Sequence, residues 1–284
     1  MKRVLPIFLV GLAMFLSSCL PIGTYSDGQQ ASATNPSGPP PGANNWSCKP
    51  STALPYPVIL LHGTGLNAAF SFQALSPMLV NAGYCVFTLD YGQIGGSGGY
   101  GLGDIATSAS QLSLFVSQVI ASTGAVQVDI VGHSQGGMMP RYYMKFLNGA
   151  SYVHTLVGLA PSNHGTTLAN PTTLSQLGLT APAWSEQWTY STFIENLNAG
   201  GDTVAGPNYV VIETSDDEIV QPYSSAFLTG TNVTNILVQN QCPTDNSGHI
   251  GFTYDMVALS DVMSALSPNP TYPQPVCSGY GPTT

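Results

Sequence analysis

Charge is what this chain has least of. Only 7% of its 284 residues are Asp, Glu, Lys or Arg, against about 25% in an average soluble domain. Bases are scarcest: five Lys and Arg stand against fourteen Asp and Glu, for a formal charge of −9. Two of the five, Lys2 and Arg3, sit at the extreme N-terminus, which leaves Lys49, Arg141 and Lys145 for all that follows. A chain so poor in cations has no patch with which to neutralise phosphates, and nucleic acid is excluded as a partner. Low charge with 43% apolar residues also excludes wholesale disorder. No repeat at solenoid or propeller periods is visible. The length suits one large domain or two small ones, with enough apolar content for a sizeable core.

The N-terminus reads as an export signal. Met1-Lys2-Arg3 precedes an apolar run, Val4 to Leu16, that is too short for a permanent membrane span but fits a secretory h-region. The run ends in Leu16-Ser17-Ser18-Cys19, which resembles a bacterial lipobox. Cleavage before Cys19 would make it the lipidated first residue of the mature chain and anchor it in a membrane. Residues 20–45, rich in Ser, Gly, Pro, Asn and Gln, are expected to form a flexible tether with a reach of roughly 25 to 30 Å. The folded domain is then expected over 46–284.

Cysteine is also sparse. Beyond Cys19 there are four, Cys48, Cys85, Cys242 and Cys277, an even number in an exported chain, and their spacings are not those of a zinc site. Proximity along the expected sheet favours the pairs Cys48–Cys85 and Cys242–Cys277.

What is abundant is a rhythm. From Pro57 short apolar runs alternate with longer amphipathic ones, which predicts an α/β fold with a mostly parallel sheet covered by helices on both faces. Strands are expected at Val58–Leu61, Cys85–Leu89, Val126–Gly132, Val153–Leu159, Tyr209–Glu213 and Val233–Val238. Helices are expected at 68–81, 104–123, 135–148 and 252–266. Two segments break the rhythm. Gly92–Gly103, with seven glycines, reads as a mobile loop. The stretch 166–207, carrying Trp184, Trp188, Tyr190 and Phe193, either packs on the core or caps a substrate cleft as a movable lid.

Chemistry enters at 132–136. Gly132-His133-Ser134-Gln135-Gly136 follows an apolar strand and opens a helix, the context a Gly-x-Ser-x-Gly nucleophile elbow requires. Ser134 must stand on a sharp strained turn, and the chain around it passes too closely for a β-carbon at 132 or 136. A serine hydroxyl needs a base. Of the five histidines, His133 lies inside the elbow and points away, His62 opens a different loop, His154 sits within a strand and His164 comes too early. His249, after the last strand, holds the base's place in the order Ser, acid, His. The acid should follow the fifth strand, where Asp216, Asp217 and Glu218 are adjacent; spacing leaves Asp216 and Asp217 open. An oxyanion hole needs two backbone N–H groups. Gln135 supplies one and Thr64, in the loop after the first strand, the other. Asp202, Asp245 and Asp255 lie in or near loops but share no calcium-loop motif. No metal or cofactor is expected.

The segments PVILLHGTG (57–65), GYCVFTLDYG (83–92), VDIVGHSQGGMMPRYY (128–143), VGLAPSNHGTT (157–167) and DDEIVQPY (216–223) together resemble bacterial class 2 lipases. The resemblance runs from about Asn45 to Cys277. It implies an α/β-hydrolase fold with a cap insertion, Ser134 as nucleophile and His249 as base, with the His62-Gly63-Thr64 loop as oxyanion donor. The acid there heads an Asp-Glu-x-Val-x-Pro-Tyr pattern, which moves the choice to Asp217, and both disulfides are supported. The expected activity is cleavage of carboxylic esters by a monomer, with triacylglycerol as the leading substrate. A short-chain ester or polyester is the alternative. A non-catalytic lipid-binding protein on the same fold is a third reading.

Overall fold

The computed structural model describes residues 19–95 and 99–283. The leader and most of the lipobox lie outside these residues, and Cys19 is an exposed free thiol. Six strands form one parallel sheet: β1 (Val58–Leu61), β2 (Val86–Leu89), β3 (Val128–His133), β4 (Val153–Leu159), β5 (Asn208–Glu213) and β6 (Val233–Leu237), in the order β2-β1-β3-β4-β5-β6. Strand residues alternate between faces. Val58, Leu60, Val131 and Ile212 therefore join one core with Phe72, Leu79, Leu259 and Val262. Ile59, Leu61, Ile130 and Val211 join the other with Leu112, Val116, Met138 and Tyr143. Sealing each face by helices explains why the strands read as near-continuous apolar runs.

The chain leaves β1 to build β2 on one side and crosses back to add β3 on the other. The loops after β1 and β3 diverge at this switch point and leave a crevice at the strands' carboxyl ends, where ligands bind in open α/β sheets.

The helices are α1 (Tyr25–Thr34), α2 (Ala68–Ser71), α3 (Leu75–Asn81), α4 (Ile105–Thr123), α5 (Gln135–Phe146), α6 (Pro171–Gln176), α7 (Pro182–Glu186), α8 (Thr192–Asn198) and α9 (Met256–Ala265). Two expected helices differ. The one at 68–81 is split into α2 and α3, because Pro77 has no N–H to donate and is tolerated only in a helix's first turn. At 252–266, Asp255 caps a fresh start by accepting from the N–H groups of Val257 and Ala258, and a short 3₁₀ turn, Gly251–Tyr254, precedes it. The third strand begins at Val128, with Val126 exposed outside the sheet.

The larger correction concerns 20–45. Instead of hanging free, this segment packs on the domain through α1. Leu20 exchanges two hydrogen bonds with the Asn81 side chain, Gly23 N donates to Gln73 O, and Asn67 Nδ2 donates to Ser32 Oγ. Tyr25 packs edge-on against Phe70 and Tyr254. At the far end Asn44 N donates to Val86 O and its side chain accepts from Thr88 N, which closes the open edge of β2. Small and polar residues gave the segment no periodicity, yet they are what lets it lie close to a sheet edge and satisfy its backbone groups.

Both expected disulfides are present, Cys48–Cys85 and Cys242–Cys277. Of the glycine-rich loop at 92–103, residues 96–98 fall outside the described structure. Its two ends are held together, with Gly101 N donating to Tyr91 O and the N–H groups of Leu102 and Gly103 to Gly92 O.

Candidate active site

Ser134 stands between β3 and α5 with φ 55° and ψ −123°, a left-handed backbone that costs a non-glycine residue about 1–3 kcal/mol and persists only where its surroundings enforce it. The enforcement is visible. A β-carbon at 132 would fall on the carbonyl of Gly136, and one at 136 on those of Leu61 and His62, so only glycine lets the turn close this tightly. Ser134 opens onto a cavity of about 110 Å³ that is also lined by Gly63, Thr64, Trp184, Gln187, Val220 and His249. Ser134 is the N-cap of α5, and a helix N-terminus favours negative charge beside it.

His249 lies on the loop after β6. Its Nδ1–H donates to Asp217 Oδ2 at 2.7 Å, and the side chains are 2% and 0% exposed. The other Asp217 oxygen accepts from the N–H groups of Ile219 and Val220, both at 2.7 Å. One carboxylate thus caps its own turn and fixes the imidazole's tautomer, leaving Nε2 as the acceptor. Asp216 is exposed, with Gln239 Nε2 at 3.5 Å as its side-chain neighbour. Glu218 has a use the sequence did not disclose: its Oε2 accepts from His249 N at 2.8 Å.

Two further groups brace this arrangement. His133 Nε2–H donates to the His249 carbonyl at 2.9 Å. Burial, with His249 alongside, holds its pKa well below the usual range, so it is a neutral prop. Glu213, fully buried at the end of β5, accepts from Thr214 N through Oε1, while Oε2 has no donor facing it. Burial and the neighbouring Asp217 charge push its carboxyl well above the usual range, so it is a neutral acid beside the carboxylate that holds the imidazole. Gln239 ties the acid loop to the histidine loop by donating to Thr214 Oγ1 and Asp245 O.

Across the cavity, Gly63 leaves room for the elbow, since a β-carbon there would meet His133 Nδ1 at 2.9 Å. Thr64 Oγ1 accepts from Gln135 Nε2 at 2.9 Å and from Gln187 Nε2 at 2.8 Å. Gln187 belongs to the insertion at 166–207, and nothing in its local sequence marks it. That insertion packs on the core, and part of it also lines the cavity. Ala183, Ile194 and Leu197 are buried in the core beside α4 and α5, whereas Thr166, Ala169, Trp184 and Gln187 line the cavity.

The remaining histidines are elsewhere employed. His62 is buried and stacked on Tyr91, and burial holds its pKa down at about 4. His154 pairs with Asp129 at 2.9 Å and His164 with Asp202 at 3.1 Å. Asp245 and Asp255 lie side by side, while Asp202 is paired with His164 instead. Among the described residues no group of three or more His, Cys, Asp or Glu has the arrangement of a metal site.

A serine on a strained turn that lines a cavity and an oriented imidazole lining the same cavity form a set that can transfer an acyl group. Residues 55–259 match the family model described as Lipase (class 2). Two triacylglycerol lipases, from Pseudarthrobacter phenanthrenivorans and Burkholderia plantarii, are each 35% identical over 96 residues. That match is 32% of this chain but only 28% and 25% of theirs, so it spans about a quarter of the length of these relatives. Lipase B of Aspergillus fumigatus has the same fold, with a TM-score of 0.67, 23% identity, and coverage of 82% of this chain and 56% of that one. So has a metagenome-derived lipolytic enzyme, with a TM-score of 0.56, 14% identity, and coverage of 81% and 99%. The chain belongs to the class 2 lipase family.

Proposed function

We propose that this protein is a serine hydrolase of carboxylic esters, a triacylglycerol lipase working through an acyl-enzyme. The observation that carries the reading is the buried His249–Asp217 hydrogen bond in one cavity with the strained Ser134. His249 Nε2 takes the Ser134 proton as Oγ attacks the ester carbonyl, and Asp217 stabilises the imidazolium. The Thr64 and Gln135 N–H groups bear the negative charge that develops on the carbonyl oxygen. The imidazolium then protonates the leaving alcohol. Water, deprotonated by the same imidazole, frees the acid and restores Ser134.

The choice of acylglycerol is supported by the cap. Leu168, Leu177, Leu179 and Tyr190 are exposed on it, an apolar face suited to a lipid surface. One observation favours a second reading, a short-chain esterase: a cavity of about 110 Å³ is too small for a long acyl chain unless the cap moves. Hydrolysis of p-nitrophenyl esters from two to sixteen carbons, with the Ser134→Ala variant beside the wild type, separates the two. A serine-dependent maximum at long chains supports the lipase, and one at short chains the esterase.

Export and lipidation at Cys19 belong to the same proposal, supported by the two disulfides and the exposed Cys19 thiol. Because Leu20 is pinned to Asn81, a lipid on Cys19 would hold the domain against the membrane rather than off it.

A further inference from the structure

Gln187 is 5% exposed, and every polar atom of its side chain is committed. Nε2 donates to Ala183 O at 2.9 Å and to Thr64 Oγ1 at 2.8 Å, and Oε1 accepts from Ser162 Oγ at 2.7 Å. A carbonyl only accepts, so Ala183 O fixes which end of the amide is nitrogen. Gln135 is fixed in the same way, because its Nε2 donates to Gly101 O at 3.0 Å as well as to Thr64 Oγ1. Thr64 Oγ1 therefore receives two amide protons and both of its lone pairs are spent. Its own O–H proton is left unused by either amide, and Thr64 lines the cavity of Ser134 and His249.

The two amides differ in what carries them. Gln135 is the first residue of α5, rigid with the sheet, while Gln187 directly follows α7 in the cap. The cap is seated on the body beside the same residue: Ala183 N donates to Leu102 O at 3.2 Å, and Ile105 N donates to Glu186 Oε2 at 2.9 Å. We propose that Gln187 is a positioning residue that couples the seating of the cap to the oxyanion loop, holding Thr64 with its N–H and hydroxyl facing the cavity only while the cap is docked. Gln187 does not touch the reacting carbonyl; it acts through Thr64. The inference rests on the ester-hydrolase reading above and adds to it a link between cap position and catalytic competence.

A double-mutant cycle on the full mature chain tests it, with kcat, KM and thermal midpoint measured for Gln187→Leu, Thr64→Val and the pair on p-nitrophenyl butyrate. Gln187→Leu is expected to lower kcat about tenfold with KM within about twofold, and Thr64→Val about a hundredfold. The pair should be no worse than Thr64→Val alone, because the Gln187 effect has no other route. Losses that multiply in the pair, or an unchanged kcat for Gln187→Leu, overturn the proposal. If Gln187→Leu fails to fold, Ser162→Ala frees the amide from its other side. A kcat loss of about two- to threefold that vanishes in the Thr64→Val background then supports the coupling, and an equal loss in both backgrounds, or none, overturns it. Wild-type protein with no Ser134-dependent turnover would instead overturn the ester-hydrolase reading itself, a result distinct from an active wild type indifferent to Gln187.

Discussion

Asp217 holds His249 through a 2.7 Å hydrogen bond between two buried side chains. Such a bond fixes the imidazole tautomer, and its loss is costly because the ring can then present the wrong nitrogen. Asp217→Asn should lower kcat by about 10³- to 10⁴-fold. Asp216→Asn, at an exposed site, should change it less than about twofold. Steady-state kinetics of the two variants distinguish neighbours that sequence spacing alone leaves equivalent.

Removal of residues 20–44 should destabilise the domain. It would strip Tyr25 from Phe70 and Tyr254 and reopen the β2 edge that Asn44 closes. For a domain of this size each kcal/mol lost lowers the thermal midpoint by about 2–4 °C, and a drop of several degrees is expected. A truncated chain that melts with the chain of residues 19–284 would show the segment to be a spacer after all.

The two disulfides should separate in function. Each closes a long loop, with sequence separations of 37 and 35, worth roughly 4 kcal/mol in the chain-entropy account. Only Cys242–Cys277 anchors the tail whose Pro282 O and Gly281 N bond the Gly248 N–H and Ser247 Oγ beside His249. Replacing Cys242 and Cys277 by Ser should lower both the melting temperature and kcat. Replacing Cys48 and Cys85 should lower mainly the former.

Stability should fall as pH rises from about 4 to about 7. Burial, and then the Asp245 charge, raise the Asp255 carboxyl to about 7; in the unfolded chain it titrates near 3.8. Between these values the unfolded chain has released a proton that the folded one keeps, so ν_U − ν_N is negative and stability declines with pH. Glu186, raised by burial to about 7, adds to the same slope. Asp255→Asn keeps an acceptor for the α9 cap and removes one titration. Its melting temperature should vary less between pH 4 and 8 than that of the wild type; an identical profile would exclude Asp255 as a source.

Much of this architecture was legible in the sequence, for definite reasons. The strands could be read because both faces of the sheet are covered, so apolar runs are continuous. Ser134 could be read because its turn leaves glycine at 132 and 136. His249 followed from chain order, whereas the choice of Asp217 came from the pattern shared with class 2 lipases. What escaped was whatever depends on long-range contact. Gln187 reaches Thr64 from 123 residues away, and Glu218 grips His249 from 31 away. Glu213 is an acid at the end of an apolar strand, a signal that was there to be read. Residues 20–44 have neither period nor bulk, and their role lies in satisfying other segments' backbone groups.

The central claim is that Ser134 is the nucleophile of an acyl transfer driven by His249. The direct measurement is to treat the protein with a p-nitrophenyl phosphonate and follow the intact mass, the site of attachment and ester hydrolysis together. The account predicts one phosphonyl group per chain, attached at Ser134, with loss of hydrolysis in step with labelling, no label on Ser134→Ala, and labelling slowed by orders of magnitude in His249→Ala. Hydrolysis that survives full labelling, or that persists in Ser134→Ala, would contradict it.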